Sequence, residues 1–327
     1  MAQATTYNIA TNREDVMSGF TMVEPQATPL LSMLKKGRVP KASYTEWCVD
    51  NLEDPQLTAV DEGTDVSSFE NPGANRARIG NHLQRQDRSW QVSDLEELVD
   101  DAAVANQIAT AKSKKLIELR RDMASVIGSD QANQAGGGSG GAAKCRGLGQ
   151  WILATAQAAN AVPAAYRTPS ASINTTAAAA FAESDVNGVL ESVYGQTGDL
   201  GAFKLFCGTS LKKEFSDFSR TGSSNGVYRQ NEDATSNKVT KNVLVYESDF
   251  GTIDVITDLF LAKDGTAASQ GMRGYLLNPD LVEIAFADGP AHYDLIDSGG
   301  GPRGFYKAWY TLRCKNPLGL GKFAATA

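Results

Sequence analysis

Residues 93–128 read SDLEELVDDAAVANQIATAKSKKLIELRRDMASVIG, and this stretch decides how the rest of the chain is interpreted. Ser93 and Glu96 form the pattern of a capping box, which satisfies the first backbone N–H groups of a helix. Apolar residues recur at three- and four-residue steps, acids crowd the start and bases fill the later turns, as the helix dipole favours. Neither proline nor glycine interrupts residues 94–127. We therefore predict one continuous helix, about 50 Å long, that ends at Gly128.

The apolar face of this predicted helix is thin, because alanine occupies many of its positions. A helix of this length also exceeds the usual length of helices in globular domains. Only part of it therefore needs to be buried within one subunit. These features indicate a strut that also contacts neighbouring molecules.

The composition is that of an ordinary globular protein, with 327 residues, 42% hydrophobic residues and a formal net charge of −7. This length is sufficient for a sizeable core and two subdomains. The negative charge argues against tight, sequence-independent binding to nucleic acid, which requires many lysines and arginines.

Targeting, membrane and metal signals are missing from the sequence. The first residues, MAQATTYNIATNRED, lack the pattern of an export signal, and no apolar run is long enough to span a bilayer. The cysteines are widely spaced, so we expect them to be reduced and buried in a cytosolic setting. They are Cys48, Cys145, Cys207 and Cys314. With two histidines and no clustered thiols, we predict neither a metal site nor a cofactor.

Residues 43–92 read as a long hairpin in front of the helix. A predicted strand over residues 43–50 leads into the polar stretch 51–75, and residues 76–92 return with partial alternation. The first leg is acidic and the second is basic, which is compatible with a solvated hairpin of complementary legs. A loop this long without its own core usually binds something, so we favour contacts between subunits. The candidate contact residues are Glu53, Asp54, Asp61, Glu62, Glu70, Arg76, Arg78, Arg85 and Arg88.

The remaining chain mixes helices and strands, after a glycine-rich stretch at residues 136–141 that predicts a flexible break. The predicted helices cover residues 184–195 and 209–218; the predicted strands cover 202–207, 243–246, 251–257, 273–277, 282–286 and 304–314. Residues 219–240 are polar and predict an exposed loop or an edge hairpin. This order of elements indicates an α+β fold.

Short catalytic motifs occur only in the wrong context. Residues 137–141 match G-x-S-x-G, but they lack the preceding strand and following helix that a nucleophile elbow requires. Residues 299–304 match G-x-G-x-x-G, but Pro302 and the strand that follows favour a turn over a dinucleotide site. The Gly319–Lys322 segment lacks the spacing of a phosphate loop.

Candidate catalytic side chains are few. We assign His82 and His292 to surface or turn positions, because they lie in unrelated segments. Scattered aspartates leave a carboxylate-based hydrolase as one hypothesis of function, although nothing in their spacing defines a site. They are Asp249, Asp254, Asp258, Asp288, Asp294 and Asp297.

Several stretches, in this order and spacing, resemble tailed-bacteriophage major capsid proteins with the Hong Kong 97 fold. They are TPLLSMLKKG at 28–37, RIGN at 78–81, WQVS at 90–93, LIELRRD at 116–122, GLGQWI at 147–152, SDFGT at 248–252 and LRCKNP at 312–317. The resemblance covers roughly residues 12–320. It implies an N-terminal arm (1–42), an extended E-loop with flanking strands (43–92), a peripheral domain with the spine helix (93–149), an axial domain (150–295) and a C-terminal return to the peripheral domain (296–327).

The function implied by the resemblance is structural. Such a chain self-assembles into hexamers and pentamers of an icosahedral shell that encloses double-stranded DNA without sequence-specific binding. The implied partners are further copies of the chain, a separate scaffolding protein, a portal protein and decoration proteins. Assembly is expected in the host cytoplasm, without a membrane, cofactor or enzymatic activity. The shell of a cargo-enclosing bacterial nanocompartment is the alternative that shares this fold.

Overall fold

The computed structural model describes residues 22, 24, 26–99, 104, 106–137, 141–155, 162–218, 232–233, 238–239, 244–262 and 270–324. These residues divide into two compact units. Unit 1 contains Asp87–Leu119, Pro290–Lys307 and the described residues up to Gln26. Unit 2 contains Ala27–Gln86, Arg120–Gly289 and the described residues from Ala308 onward. The boundaries implied by the resemblance differ from these and stay predictions.

The chain contains both helices and runs of consecutive strands, as the α+β prediction expects. The α-helices are α1 (Pro29–Met33), α2 (Asp94–Leu98), α3 (Gln107–Ile127), α4 (Leu148–Trp151), α5 (Glu183–Thr197) and α6 (Thr209–Phe218). The strands are β1 (Lys35–Lys36), β2 (Tyr44–Val49), β3 (Ala77–His82), β4 (Gln84–Gln91), β5 (Ile173–Asn174), β6 (Lys204–Cys207), β7 (Glu232–Asp233), β8 (Lys238–Val239), β9 (Val245–Ser248), β10 (Gly251–Thr257), β11 (Arg273–Leu277), β12 (Val282–Leu295), β13 (Arg303–Cys314) and β14 (Gly321–Ala324).

Within the described ranges, the strands form two larger sheets and two antiparallel pairs. The four-stranded sheet has the order β1-β12-β13-β4, and the six-stranded sheet has the order β5-β14-β11-β6-β10-β9. The pairs are β2-β3 and β7-β8. The last strand, β14, pairs with β11 and β5 and therefore belongs to the six-stranded sheet.

The core of unit 2 forms where α5 packs on the six-stranded sheet. Val186, Val189, Leu190 and Val193 of α5 are buried, and their three- and four-residue spacing places them on one helical face. They join a cluster with buried residues of β6, β10, β11 and β14. Burying a side chain of this size stabilises the fold by about 1.5–3 kcal/mol. The helix and the strands predicted here are confirmed, except that β5 and β14 were missed and β9 extends to Ser248.

The predicted continuous helix over residues 94–127 is wrong at Val99. The helix ends there because Val99 is extended, with φ −87° and ψ 135°. The Ser93 hydroxyl does cap α2, since it accepts from the Glu96 N–H at 3.3 Å. However, none of the residues of α2 is buried, and a helix of five residues without packing is marginal. Helix α3 starts anew at Gln107, and residues 100–103 and 105 lie outside the described chain.

The end of α3 agrees with the sequence, but the reason for its glycine differs. Gly128 follows the helix directly, and its N–H donates to the carbonyl of Ala124 at 3.0 Å. Its φ is not left-handed, so a C′ conformation does not explain it. A Cβ at this position would lie 3.0 Å from the Leu261 side chain. Glycine is therefore needed for close packing rather than for a special backbone angle.

Three further sequence predictions need correction or fall outside the described chain. Cys48 is exposed, whereas the other cysteines are buried as predicted. The strand predicted to end at residue 286 continues to Leu295 in β12. Most of residues 219–240 lie outside the described residues, apart from the β7-β8 pair.

Candidate assembly interface

The hairpin in front of the helix is built on the β2-β3 pair. Its antiparallel register runs from Tyr44 opposite His82 to Val49 opposite Ala77. Two contacts fix this pair to β13 within unit 2. The Trp47 indole N–H donates to the carbonyl of Cys314 at 2.9 Å, and the buried Asn81 amide donates to the carbonyl of Leu312 at 2.8 Å. The pair is therefore a rigid base for the chain that it carries.

Residues 50–76, which we name the hairpin loop, project from this base. Every residue from 50 to 72 is exposed. Five large apolar side chains are among them: Leu52 (91% exposed), Leu57 (98%), Val60 (77%), Val66 (70%) and Phe69 (86%). Scattered apolar residues on a surface are ordinary, but here five lie within one loop.

The hairpin loop is also strongly acidic. Between residues 51 and 74 it carries Glu53, Asp54, Asp61, Glu62, Asp65 and Glu70, and no lysine or arginine. The first base after these acids is Arg76. Like charges along one loop favour a partner with a basic rim and disfavour DNA.

Part of the predicted charge complementarity is satisfied within the hairpin. Arg76 lies 2.9 Å from Asp50, and Arg78 lies 3.7 Å from Glu46, in both cases as exposed ion pairs. Such pairs contribute about 0–1 kcal/mol each. Glu53 accepts from the Asn75 amide at 2.8 Å, and Glu70 accepts from the Gln56 amide at 3.0 Å. These contacts join leg to leg, as the solvated-hairpin alternative expects.

The other candidate residues lie elsewhere on the surface. Asp54, Asp61 and Glu62 are exposed in the hairpin loop, and Arg85 is exposed on β4. Arg88 belongs to unit 1, where it lies 3.9 Å from Glu118 of α3. The structure therefore does not gather the nine residues into one site, and their role between subunits stays a prediction. The sequence signal that was overlooked is the set of apolar residues within the polar stretch.

The motifs rejected from the sequence have structural roles where they are described. Residues 299–302 lie in the turn between β12 and β13, as predicted, and Arg303 begins β13. The Asp297 carboxylate accepts from the N–H groups of Gly299 and Gly300 at 2.8 and 3.0 Å, and these bonds lower its pKa. Lys322 lies in β14, where its ammonium group contacts Asp130 at 2.6 Å. Ser139 lies outside the described residues.

The histidines are structural too, although the turn position predicted for His292 is wrong. His292 lies within β12, where it stacks on Trp90 and accepts from the Trp90 indole N–H at 3.1 Å. His82 ends β3 with its ring 4.6 Å from the Tyr44 ring. Burial lowers the pKa of His82, and the nearby Arg146 lowers it further.

Three of the aspartates considered for hydrolysis each have a separate partner. Asp254 lies 2.7 Å from Lys204, Asp294 lies 3.6 Å from Lys112, and the buried Asp258 accepts from the Leu30 N–H at 3.0 Å. Among the described residues, no group of three or more histidines, cysteines or acids is placed to hold a metal ion. No helix in the described part is long and apolar enough to cross a membrane.

Comparison with known proteins shows to which protein family this chain belongs. The family model of the SU10 major capsid protein matches residues 2–327. The chain belongs to this family. As a major capsid protein it forms the icosahedral shell of a virion, so the capsid function predicted from the sequence resemblance is confirmed. A comparison with curated protein sequences gives no match.

Solved structures similar to this capsid protein are phage and GTA capsids. The capsid of Cyanophage A-1(L) matches with a TM-score of 0.65 at 16% identity, covering 98% of each chain. The capsid of an empty GTA particle gives 0.62 at 14% identity, covering 99% of this chain and 98% of the other. Mycobacterium phage Ogopogo gives 0.62 at 9% identity, covering 99% and 100%. These likenesses confirm the Hong Kong 97-type fold.

Proposed function

We propose that the hairpin loop of this capsid protein lies over a neighbouring copy in the same capsomer. The observation that carries the proposal is the exposure of Leu52, Leu57, Val60, Val66 and Phe69 in one loop on a rigid base. Apolar area of this kind contributes to stability only when another molecule removes it from water. In a closed shell the same contact is repeated at every subunit, so modest contacts add through multivalency.

The membership in a capsid family also supports proposals about assembly and partners. We propose that the copies form hexamers and pentamers, that they assemble in the host cytoplasm with a separate scaffolding protein, and that a portal protein and decoration proteins complete the particle. The chain acts as a structural component and not as an enzyme. The acidic loop and the net charge of −7 support a shell that encloses DNA without sequence-specific binding.

Removal of the hairpin loop tests its proposed role. Residues 52–74 are replaced by a short glycine–serine linker, which leaves the β2-β3 register intact. We expect the variant to keep the unfolding temperature of the parent chain, because the deleted residues are exposed except for the partly buried Gly73, and to form no shells in electron microscopy. The control replaces Thr58, Ser67 and Ser68 by alanine, which keeps the loop and its apolar residues. Normal shells from the deletion variant would contradict the proposal.

A further inference from the structure

The direction of the hairpin loop must be fixed at its base. Its residues 50–72 are exposed, so they make no core of their own that could orient them. The β2-β3 register ends at Val49 and Ala77. The few residues between this register and the exposed part therefore decide where the loop points.

One buried side chain from another segment reaches this base. The Tyr166 hydroxyl donates to the main-chain carbonyl of Asn75, across a separation of 91 residues in sequence. Tyr166 ends the short 3₁₀ helix Ala164–Tyr166, and only 5% of the residue is exposed. The hydrogen bond thus ties the returning leg of the hairpin loop to the body of unit 2.

The segment that carries Tyr166 is itself held in place. The Thr168 hydroxyl is buried and donates to the carbonyl of Pro317 at 2.8 Å. The Arg167 guanidinium donates to the carbonyl of Val162 at 2.7 Å. Pro163 precedes the 3₁₀ helix with a φ of −54°, an angle that its ring fixes. The hydroxyl is therefore presented from a rigid support.

The other bonds at the base of the hairpin loop differ from the Tyr166 bond, because they are exposed and join one leg of the loop to the other. In the Asp50–Arg76 ion pair, 45% and 67% of the two side chains are exposed, so solvent screens it. The bond from Asn75 to Glu53 is exposed and joins one leg of the loop to the other. Bonds between the legs hold the loop together but leave its angle to the body free. The Tyr166 bond instead joins the loop to the body of unit 2.

We propose that Tyr166 is a positioning residue for assembly: its hydroxyl holds the Asn75 carbonyl and so fixes the direction in which the hairpin loop leaves the subunit. This inference rests on the proposed function of the loop as a contact to a neighbouring copy. A loop that already points toward its partner loses less conformational entropy on binding. The hydrogen bond therefore promotes assembly without touching the partner.

The test compares two tyrosine-to-phenylalanine variants that remove the same atom. Tyr166→Phe removes the bond to Asn75, whereas Tyr275→Phe removes a buried hydroxyl in β11 that donates to the Gly128 carbonyl at 2.9 Å. We expect Tyr166→Phe to raise the critical concentration for assembly about fivefold, the equivalent of one lost neutral hydrogen bond. We expect Tyr275→Phe to leave it unchanged. Equal effects of the two variants, or no effect of Tyr166→Phe, would overturn the proposal.

A distance measurement on the unassembled full-length chain separates direction from stability. Spin labels are placed on the exposed Cys48 at the base and on Thr64→Cys in the loop, while the buried cysteines stay unlabelled. We expect a narrow distance distribution in the parent chain and in Tyr275→Phe, and a broad one in Tyr166→Phe. Pro163→Gly loosens the support without removing the hydroxyl and is expected to broaden the distribution as well. An equally narrow distribution in Tyr166→Phe would overturn the proposal.

The loop-deletion experiment tells the two proposals apart. If deletion of residues 52–74 leaves shells intact, the proposed role of the hairpin loop fails, and the inference about Tyr166 fails with it. If deletion abolishes assembly and Tyr166→Phe assembles like the parent chain, only the inference about Tyr166 fails.

Discussion

Replacing two apolar residues of the hairpin loop by serine should impair assembly while leaving the subunit folded. Leu57 and Phe69 are 98% and 86% exposed, so they contribute almost nothing to packing within the subunit. Surface substitutions of this kind change the free energy of unfolding by about 0.5 kcal/mol or less. The unfolding temperature of Leu57→Ser/Phe69→Ser should therefore match that of the parent chain.

The expected loss in assembly follows from the area that a neighbour would cover. Full burial of side chains of this size is worth about 1.5–3 kcal/mol each, so half burial of both gives about 1.5–3 kcal/mol for the pair. This corresponds to an increase of about 10- to 100-fold in the concentration needed for assembly. This free energy applies to one contact between two subunits, and a shell repeats the contact at every subunit.

Light scattering against protein concentration, followed by electron microscopy, measures this threshold. The matched control is Thr58→Ala/Ser67→Ala, which changes two residues of the same loop without removing apolar area. An unchanged threshold in Leu57→Ser/Phe69→Ser would refute the argument that these side chains are covered by a neighbour. A large fall in its unfolding temperature would refute the argument that they are free of packing within the subunit.

Two further predictions concern the subunit itself. Asp130→Ala should destabilise the unassembled chain by about 3–5 kcal/mol in denaturant unfolding. The reason is that the 95%-buried Lys322 and the neighbouring Arg273 lose their shared carboxylate. A loss of stability below about 1 kcal/mol would contradict this prediction. Burial raises the pKa of Cys145, Cys207 and Cys314 to about 12. At pH 8 an alkylating reagent should therefore modify Cys48 first and reach the other three thiols only after unfolding. Rapid modification of all four thiols in the native chain would contradict this prediction.

Local signals were sufficient to predict several elements. Helix α6 (Thr209–Phe218) and strands β10 and β11 have the bounds expected from the sequence. Each has an apolar pattern that matches its own period and a turn or loop at each end. The resemblance to capsid proteins then indicated how these elements combine into one fold. No single local pattern in the sequence carries that information.

The features that were missed depend on contacts between distant residues. At Val99 the pattern of local signals favoured helix, but no residue of helix α2 is buried. Strand β14 has four residues and is defined by its partners, since Gly321 pairs with Leu276 and Phe323 with Gly274. The bond from Tyr166 to Asn75 spans 91 residues and leaves no periodic trace in the sequence.

The most direct test of the central claim is a cryo-electron microscopy structure of shells assembled from the purified chain. We predict closed particles in which residues 50–76 of each copy lie on the adjacent copy, with Leu57 and Phe69 covered by it. A chain that stays monomeric at high concentration would contradict this prediction. So would shells in which the hairpin loop lies against its own subunit or projects into solvent with Leu57 and Phe69 exposed.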